Sequence, residues 1–109
     1  MNKIDWKALE AKSHNELMAI VGKIDKDAKD AVKAGEAFCA KFEKDIKSAI
    51  CGNKSAISGE INKENVDTLV DSLSTDLKKK VDTKSVGWEV LAAIAVSALK
   101  QGLNNYCER

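Results

Sequence analysis

The 109-residue chain contains no proline, a single histidine (His14) and a single arginine (Arg109), and each scarcity excludes something. Because proline interrupts helices, its absence leaves long helical segments open to this chain. A zinc site needs three or four ligands, which one histidine and scattered cysteines do not supply. Arginine reads guanine and clamps phosphate through paired hydrogen bonds, so its near absence argues against sequence-specific recognition of DNA.

The charge balance also argues against a nucleic-acid partner. The chain has 18 basic and 17 acidic side chains and a formal net charge of +1, whereas nucleic-acid-binding proteins usually present a basic excess or a basic face. Hydrophobic residues make up 44% of the chain, which is enough for one core in a protein of this length. We therefore expect residues 1–109 to form a single domain, and we do not expect nucleic acid to be its ligand.

The chain also lacks a long apolar segment. Its first twelve residues are polar and do not resemble a secretory signal, and its longest apolar-rich run, residues 86–99, is too short to span a bilayer. The cysteines, Cys39, Cys51 and Cys107, are odd in number and far apart, unlike the dense, even set of a secreted disulfide scaffold. These features predict three reduced thiols in a cytoplasmic protein that does not associate with membranes.

The residues that are present favour helix almost everywhere. Alanine, lysine, glutamate and leucine are abundant and have high helix propensity, and no segment alternates apolar and polar residues as a strand would. A short first helix is expected over residues 5–12, with Trp6 and Leu9 on its apolar side. Ser13 and Glu16 have the spacing of a capping box, which predicts that Ser13 is the N-cap of a second helix.

The second helix carries the clearest pattern in the chain. Apolar or small residues recur at steps of three and four, which is the spacing of one helical face. That face comprises Leu17, Ile20, Val21, Ile24, Ala28, Ala31, Val32, Gly35, Phe38, Phe42, Ile46, Ala49 and Ile50. Gly52 follows, and we expect it to end the helix in the left-handed conformation.

The length of this helix conflicts with the size of the domain. As one continuous helix, residues 14–51 would extend about 57 Å, whereas a compact domain of this size has a diameter of roughly 34 Å. Either the helix breaks, at Gly22 or at Gly35, or the molecule is elongated and pairs with a second copy or a large partner. We expect a break or bend near Gly22.

Two further helices are expected in the second half of the chain. The third runs from Asn62 or Asn65 to about residue 82 and buries a stripe of leucine and valine. The fourth runs from about residue 83 to about residue 104 and is apolar on nearly all sides, which is typical of a helix packed by neighbours on several faces. The expected fold is therefore all-α, a compact or slightly elongated bundle of about four helices with the C-terminal helix at its centre.

Two strips of small residues predict a close crossing between the second and fourth helices. The strips comprise Ala28, Ala31 and Gly35 on the former, and Ala95, Ala98 and Gly102 on the latter. Small side chains allow two helices to approach towards the 8 Å end of the usual range of interaxial distances. At such a crossing, the substitution Ala98→Leu would destabilise the fold by about 1–3 kcal/mol through overpacking.

No pattern predicts catalysis or a cofactor. Residues 25–36 match part of a calcium-binding loop but have Lys29 at a ligand position and lack the glycine of its sharp turn, so we interpret them as an exposed helix face. A cysteine nucleophile needs a nearby base, and nothing in the sequence ties His14 to a cysteine. The glycines are scattered rather than grouped in a phosphate-binding loop. We expect no enzymatic activity, no metal and no cofactor.

Four residues are candidates for contact with a protein partner. Trp6 either docks the short first helix onto the bundle or anchors a partner, because tryptophan is frequent in binding hot spots. The last turn of the third helix carries Lys78, Lys79 and Lys80. Positive charge there suits the helix dipole and can also meet a phosphate or an acidic partner. The other tryptophan, Trp88, is expected in the core.

Three functional hypotheses remain open. The first is a small cytoplasmic interaction module that binds a larger macromolecule, as inhibitors, immunity proteins and adaptors encoded by bacteria, phages or plasmids do. The second is a self-assembling structural protein that pairs the long helical face across a twofold axis, and the third is a nucleic-acid-associated protein that uses lysines on one face. The lack of catalytic groups and a helical face longer than one compact domain requires favour the first.

Overall fold

The computed structural model describes residues 6–23, 29–53, 60–78 and 87–108, and all regular structure in these ranges is helical. The helices are α1 (Trp6–Glu10), α2 (His14–Gly22), α3 (Ala31–Lys41), α4 (Glu43–Cys51), α5 (Lys63–Leu77), α6 (Trp88–Gln101) and α7 (Leu103–Glu108). The all-α class is therefore confirmed. The described part of the chain holds seven helices rather than about four, because two of the expected helices are divided.

The long second helix of the sequence pattern is divided into α2, α3 and α4. α2 ends at Gly22, as expected, and Asp30 caps the next helix by accepting a hydrogen bond of 3.2 Å from the Lys33 N–H. A second division lies at Phe42, whose φ of −109° and ψ of 24° depart from helical values. Gly35, the other expected break point, lies inside α3.

The division makes the molecule compact. Its radius of gyration is 12.6 Å and its principal extents are 38 × 33 × 30 Å, so the elongated alternative is wrong. Most of the described residues of the helical face contribute instead to a shared core, in which Leu17, Val21, Ile46 and Ile50 are each at most 1% exposed.

α2 and α3 form an antiparallel pair with very close backbones. A Cβ atom added to Gly22 would overlap the carbonyl oxygen of Ala31, and one added to Gly35 would overlap that of Met18. The expected crossing of this small-residue strip with the C-terminal helix is therefore wrong, and its Ala28 lies outside the described residues. Once the chain breaks after Gly22, α3 folds back onto its neighbour in sequence, as consecutive elements usually do.

α6 is the central helix, as expected. Every residue from Val90 to Leu99 is buried, and the helix packs against α1, α2, α5 and α7. It ends earlier than expected because Gly102 takes a φ of +89°, a backbone conformation that favours glycine. The chain then turns into α7.

α5 and α1 also follow their sequence patterns. The buried stripe of α5 comprises Val66, Leu69, Val70, Leu73 and Leu77. Its N-cap is Asn62, whose side chain accepts a hydrogen bond of 2.8 Å from the Asn65 N–H. α1 docks on α6 through buried Leu9, and the Lys100 ammonium donates to the carbonyl oxygens of Glu10 and Lys12, which are left without helical partners at the end of α1.

The expectation of three reduced thiols is wrong for two of them. Cys51, the last residue of α4, forms a disulfide with Cys107 in α7, with the Cα atoms 5.8 Å apart, and Cys39 is free. The turn at Gly102 returns the C-terminus to α4, so a sequence separation of 56 residues becomes a direct contact. Since disulfides persist mainly in oxidising compartments, reduced cysteines no longer support a cytoplasmic location for this protein.

Two smaller expectations are also wrong. Gly52 caps α4 with a right-handed φ of −64° rather than a left-handed one, because the N–H of Gly52 continues the helical pattern by donating to Ser48. Trp88 is 39% exposed instead of lying in the core, since it is the first residue of α6 and precedes the buried segment.

None of the helices in the described ranges combines the length and the apolar character that a membrane span needs.

Candidate functional site

A cavity of about 270 Å³ lies among five helices, and we call it the five-helix pocket. α3 and α6 face each other across it, because α3 makes its close contact with α2 instead. Its apolar surface is formed by Met18, Cys39, Ala40, Ile94, Ala98 and Tyr106. Its polar surface is formed by His14, Glu36, Glu43, Lys47, Ser97 and Gln101. A concave apolar surface with a few convergent polar groups is the usual form of a ligand site.

A polar chain of three side chains crosses the wall of this pocket. The Ser97 hydroxyl lies 3.3 Å from Nδ1 of His14. The Gln101 amide nitrogen donates to the Ser97 carbonyl oxygen at 3.3 Å and to the Ser97 hydroxyl at 3.4 Å. Because a backbone carbonyl only accepts hydrogen bonds, this contact orients the Gln101 amide, with its nitrogen towards Ser97.

The oxygen of the same amide is left without a donor. Oε1 of Gln101 is buried and accepts no hydrogen bond from the described part of the chain. Buried polar atoms are nearly always paired, and leaving one unpaired costs about 1–3 kcal/mol. Because this oxygen has essentially no accessible surface, the cost belongs to the packing around α6 and the oxygen is not presented to a molecule in the pocket.

The mouth of the pocket is charged. Glu36 and Glu43 are both exposed at its edge, and the Lys47 ammonium lies 3.1 Å from a Glu43 carboxylate oxygen, four residues along α4. The pocket edge thus carries two carboxylates and one ammonium group. This excess of negative charge favours a positively charged ligand over an anion.

The free cysteine lines this pocket together with the histidine. Burial, and next the nearby Glu36 carboxylate, raises the pKa of the Cys39 thiol from its ordinary value of 9.0 to about 11. A catalytic cysteine requires a lowered pKa, because the thiolate is the nucleophile. The structure therefore brings His14 and Cys39 to one site, which the sequence did not indicate, but in surroundings that keep the thiol protonated at neutral pH.

The residues expected to contact a partner are distributed differently. Lys78 is exposed and caps the C-terminal end of α5, away from the residues that line the pocket. Lys79, Lys80 and the side chain of Trp6 lie outside the described part of the structure, so their predicted contacts stay predictions. Residues 25–28 of the rejected calcium loop lie outside it as well, and the remaining described residues hold no group of three potential metal ligands.

Sequence reasoning missed Trp88 as a surface residue. It is the one exposed large hydrophobic side chain among those described. At 1.5 Å per residue it lies about 9 Å along the helix axis from Ile94, the first pocket residue of α6, and 3.6 residues per turn place it on a different face. The surface around Trp88 is therefore distinct from the five-helix pocket.

The sequence did contain signals for both features. Ser97 and Gln101 are polar residues four positions apart on a mostly apolar helix, so they share one face. Trp88 lies between Gly87 and Glu89 near the expected start of that helix, where burial is least complete.

Compared with protein-family models, curated proteins and solved structures, the chain shows no significant match.

Proposed function

We propose that this protein is a small interaction module that binds a larger protein through the N-terminal end of α6, with Trp88 as its anchor. The observation that carries the proposal is the 39% exposure of this side chain at one end of the central helix. Tryptophan buries a large area in a contact and is among the residues most enriched in binding hot spots. The matching partner presents an apolar pocket that receives the indole ring.

The helix that carries the indole ring is anchored in the core. The residues that follow Trp88 and Glu89, from Val90 to Leu99, are buried in the core. A side chain mounted on a rigid element loses less conformational freedom on binding than one on a mobile segment, which favours affinity. We propose no catalytic step for this surface, so the module acts by occupying a site on its partner, as an inhibitor, immunity protein or adaptor does.

The long helical face no longer contributes to this proposal. Most of its described residues are buried in the core, where Leu17 and Ile50 have no exposed surface. The same burial removes the reason to propose self-assembly through that face, because an isologous contact needs an exposed patch. We therefore base the proposal of binding to a larger protein on the exposed Trp88 instead.

The test uses the whole protein as bait in extracts of its native host, without reductant so that the Cys51–Cys107 disulfide stays intact. Wild type, Trp88→Ala and Trp88→Phe are compared, with Glu64→Gln as the matched control on exposed α5 surface. Proteins retained by each bait are quantified by mass spectrometry, and the retained protein is then purified and titrated.

We expect one protein that wild type and Glu64→Gln retain equally and that Trp88→Ala binds at least tenfold more weakly, as for a hot-spot residue. Trp88→Phe is expected to fall between them because it keeps part of the apolar area. A set of retained proteins that is unchanged by Trp88→Ala, or the absence of any specific protein on the wild-type bait, contradicts the proposal.

A further inference from the structure

We propose that the Cys51–Cys107 disulfide is a redox latch, which a dithiol reductant opens to release α7 from α4. In the oxidised protein α7 is docked, and Tyr106 forms part of the wall of the five-helix pocket. In the reduced protein α7 undocks at Gly102, and the other helices keep their packing. Gly102 lies about 20 Å from Trp88 along the axis of α6, so either proposal can fail without the other.

The α4 side of the latch is secured without the disulfide. Cys51 is the last residue of α4, and its neighbour Ile50 is fully buried. The side-chain amide nitrogen of Asn53 donates to the Ala49 carbonyl oxygen and to the Ser72 hydroxyl on α5, both at 2.7 Å. These contacts tie the end of α4 to α5, so reduction leaves Cys51 in place.

The α7 side of the latch depends mainly on the disulfide. α7 has six residues, whereas helices shorter than about 12–15 residues are only marginally stable by themselves in water. Among its described side chains, Leu103 is buried, and Tyr106 and Cys107 are partly buried. The entropy lost in ordering six residues exceeds what the burial of one leucine and part of one tyrosine offsets. Without its covalent link, α7 therefore undocks.

Gly102 allows α7 to move without disturbing α6. It separates the two helices with a φ of +89°, and glycine can exchange such a conformation for others without a steric penalty. α6 itself is buried from Val90 to Leu99 and packs against α1, α2 and α5. These contacts do not involve α7, so they hold α6 in place while the residues beyond Gly102 move.

The disulfide is placed where a reductant can reach it. Cys51 and Cys107 are both partly exposed, and exposed disulfides are the more labile ones. A thiolate of the dithiol attacks one sulfur and breaks the S–S bond, which forms a mixed disulfide and releases the other cysteine as a thiolate that takes up a proton. The second thiol of the reductant then attacks the mixed disulfide. The protein gains two electrons and ends with two thiols, and the reductant leaves as its own disulfide.

Release of α7 also changes the five-helix pocket. Tyr106 and Cys39 line this pocket together, and Cys39 is a partly buried free cysteine. When Tyr106 leaves the wall, the opening towards the Cys39 thiol becomes wider. The reactivity of Cys39 therefore reports the state of the latch, although Cys39 takes no part in the disulfide.

The first experiment follows the latch by NMR in the isotope-labelled whole protein. Oxidised wild type is compared with the same protein after incubation with an excess of reduced thioredoxin, a dithiol reductant, without denaturant. We expect the disulfide to open and amide exchange in residues 103–108 to become at least about tenfold faster. The signals of α2 and α5 should keep their positions. Cys39→Ala, which lacks the free thiol and keeps the disulfide, is the matched control and should respond like wild type.

The second experiment measures alkylation of Cys39 by iodoacetamide. Oxidised wild type is compared with Cys51→Ala/Cys107→Ala, in which Cys39 is the one remaining cysteine. We expect Cys39 to react at least about tenfold faster in this variant, because local opening exposes the thiol. Trp88→Ala, which keeps the disulfide, is the control and should react at the wild-type rate.

Four results would overturn the inference. The disulfide could stay intact in the presence of reduced thioredoxin, or residues 103–108 could keep their protection after reduction. The signals of α2 and α5 could be lost together with those of α7, which would make the disulfide a support of the whole fold. Cys39 could also react equally fast in wild type and in Cys51→Ala/Cys107→Ala. If this variant does not fold, the NMR experiment on reduced wild type still decides the question.

Discussion

The two sides of α3 are held in opposite ways. Towards α2 the backbones are so close that neither Gly22 nor Gly35 has room for a methyl group. Towards α6 the same helix faces a cavity of about 270 Å³, which is lined by Cys39 from α3 and by Ser97 and Ala98 from α6. Small residues occur on both α3 and α6, so they permit close approach but do not determine which two helices pack together. The break after Gly22 determines this, because it lets α3 fold back onto α2.

The pocket side is held by different forces from the α2–α3 side. The α2–α3 contact brings two backbones close together at Gly22 and Gly35, whereas the pocket is enclosed by elements held through polar and covalent links. Tyr106 is adjacent to Cys107, and the disulfide to Cys51 fastens this part of α7 to α4. We therefore expect added side-chain volume to destabilise the α2–α3 contact. We expect loss of the disulfide, or of the Ser13–Glu16 cap of α2, to destabilise the elements around the pocket.

The largest effect is expected from removing the disulfide. In the chain-entropy account, closing a loop of this length (a separation of 56 residues) contributes about 4 kcal/mol to the free energy of unfolding. The double variant Cys51→Ala/Cys107→Ala should lose about this amount in urea unfolding, and Cys39→Ala is the control. In this variant, amide hydrogen exchange should increase more around Tyr106 than in α2 and α3. A larger increase in α2 and α3 would contradict the comparison.

Adding one methyl group to the α2–α3 contact should have the next largest effect. Gly35→Ala forces the backbone of α3 away from Met18 and is expected to lower the free energy of unfolding by about 3 kcal/mol, although alanine gains about 1 kcal/mol of helix propensity over glycine. Ala37→Gly, on the exposed face of α3, measures that propensity separately. A Gly35→Ala variant as stable as wild type would show that the two backbones are farther apart.

Larger side chains on α6 should distinguish its filled surroundings from the pocket. Ala95 is fully buried and does not line the cavity, whereas Ala98 does. Ala95→Leu is expected to lower the free energy of unfolding by about 1–3 kcal/mol. Ala98→Leu should lower it by less than about 1 kcal/mol, because the added carbons enter the cavity. Equal losses in thermal denaturation would support the close crossing predicted from sequence instead.

The smallest effect concerns the cap at the pocket end of α2. The Ser13 N–H, followed by the Ser13 hydroxyl, holds the pKa of Glu16 below its ordinary value of 4.5. A carboxyl group with a lowered folded-state pKa stabilises the fold above its unfolded value, and this contribution disappears as the pH falls through the folded value. Wild type should therefore lose stability relative to Glu16→Gln on acidification below pH 4.5. A difference in Tm between the two that is independent of pH would contradict this expectation.

Local sequence signals predicted the local structure well. The capping box at Ser13 is present with both of its hydrogen bonds, and the stripe of α5 is buried as its spacing predicted. The division at Phe42 was not predictable, because phenylalanine is compatible with helix and its burial to 8% depends on the finished core. For the same reason the acceptor left at Gln101 could not be read from the chain.

The sequence by itself determined that the protein is helical and that the apolar helix observed as α6 is the most buried. Both follow from propensity and from the period of apolar residues, which act over a few positions. The tertiary structure decided that α3 packs on α2, that Cys51 meets Cys107, and that Trp88 is exposed while a cavity forms beside Gln101. These depend on how the helices are placed in space, and apolar periodicity is the same whichever neighbouring helix covers a face.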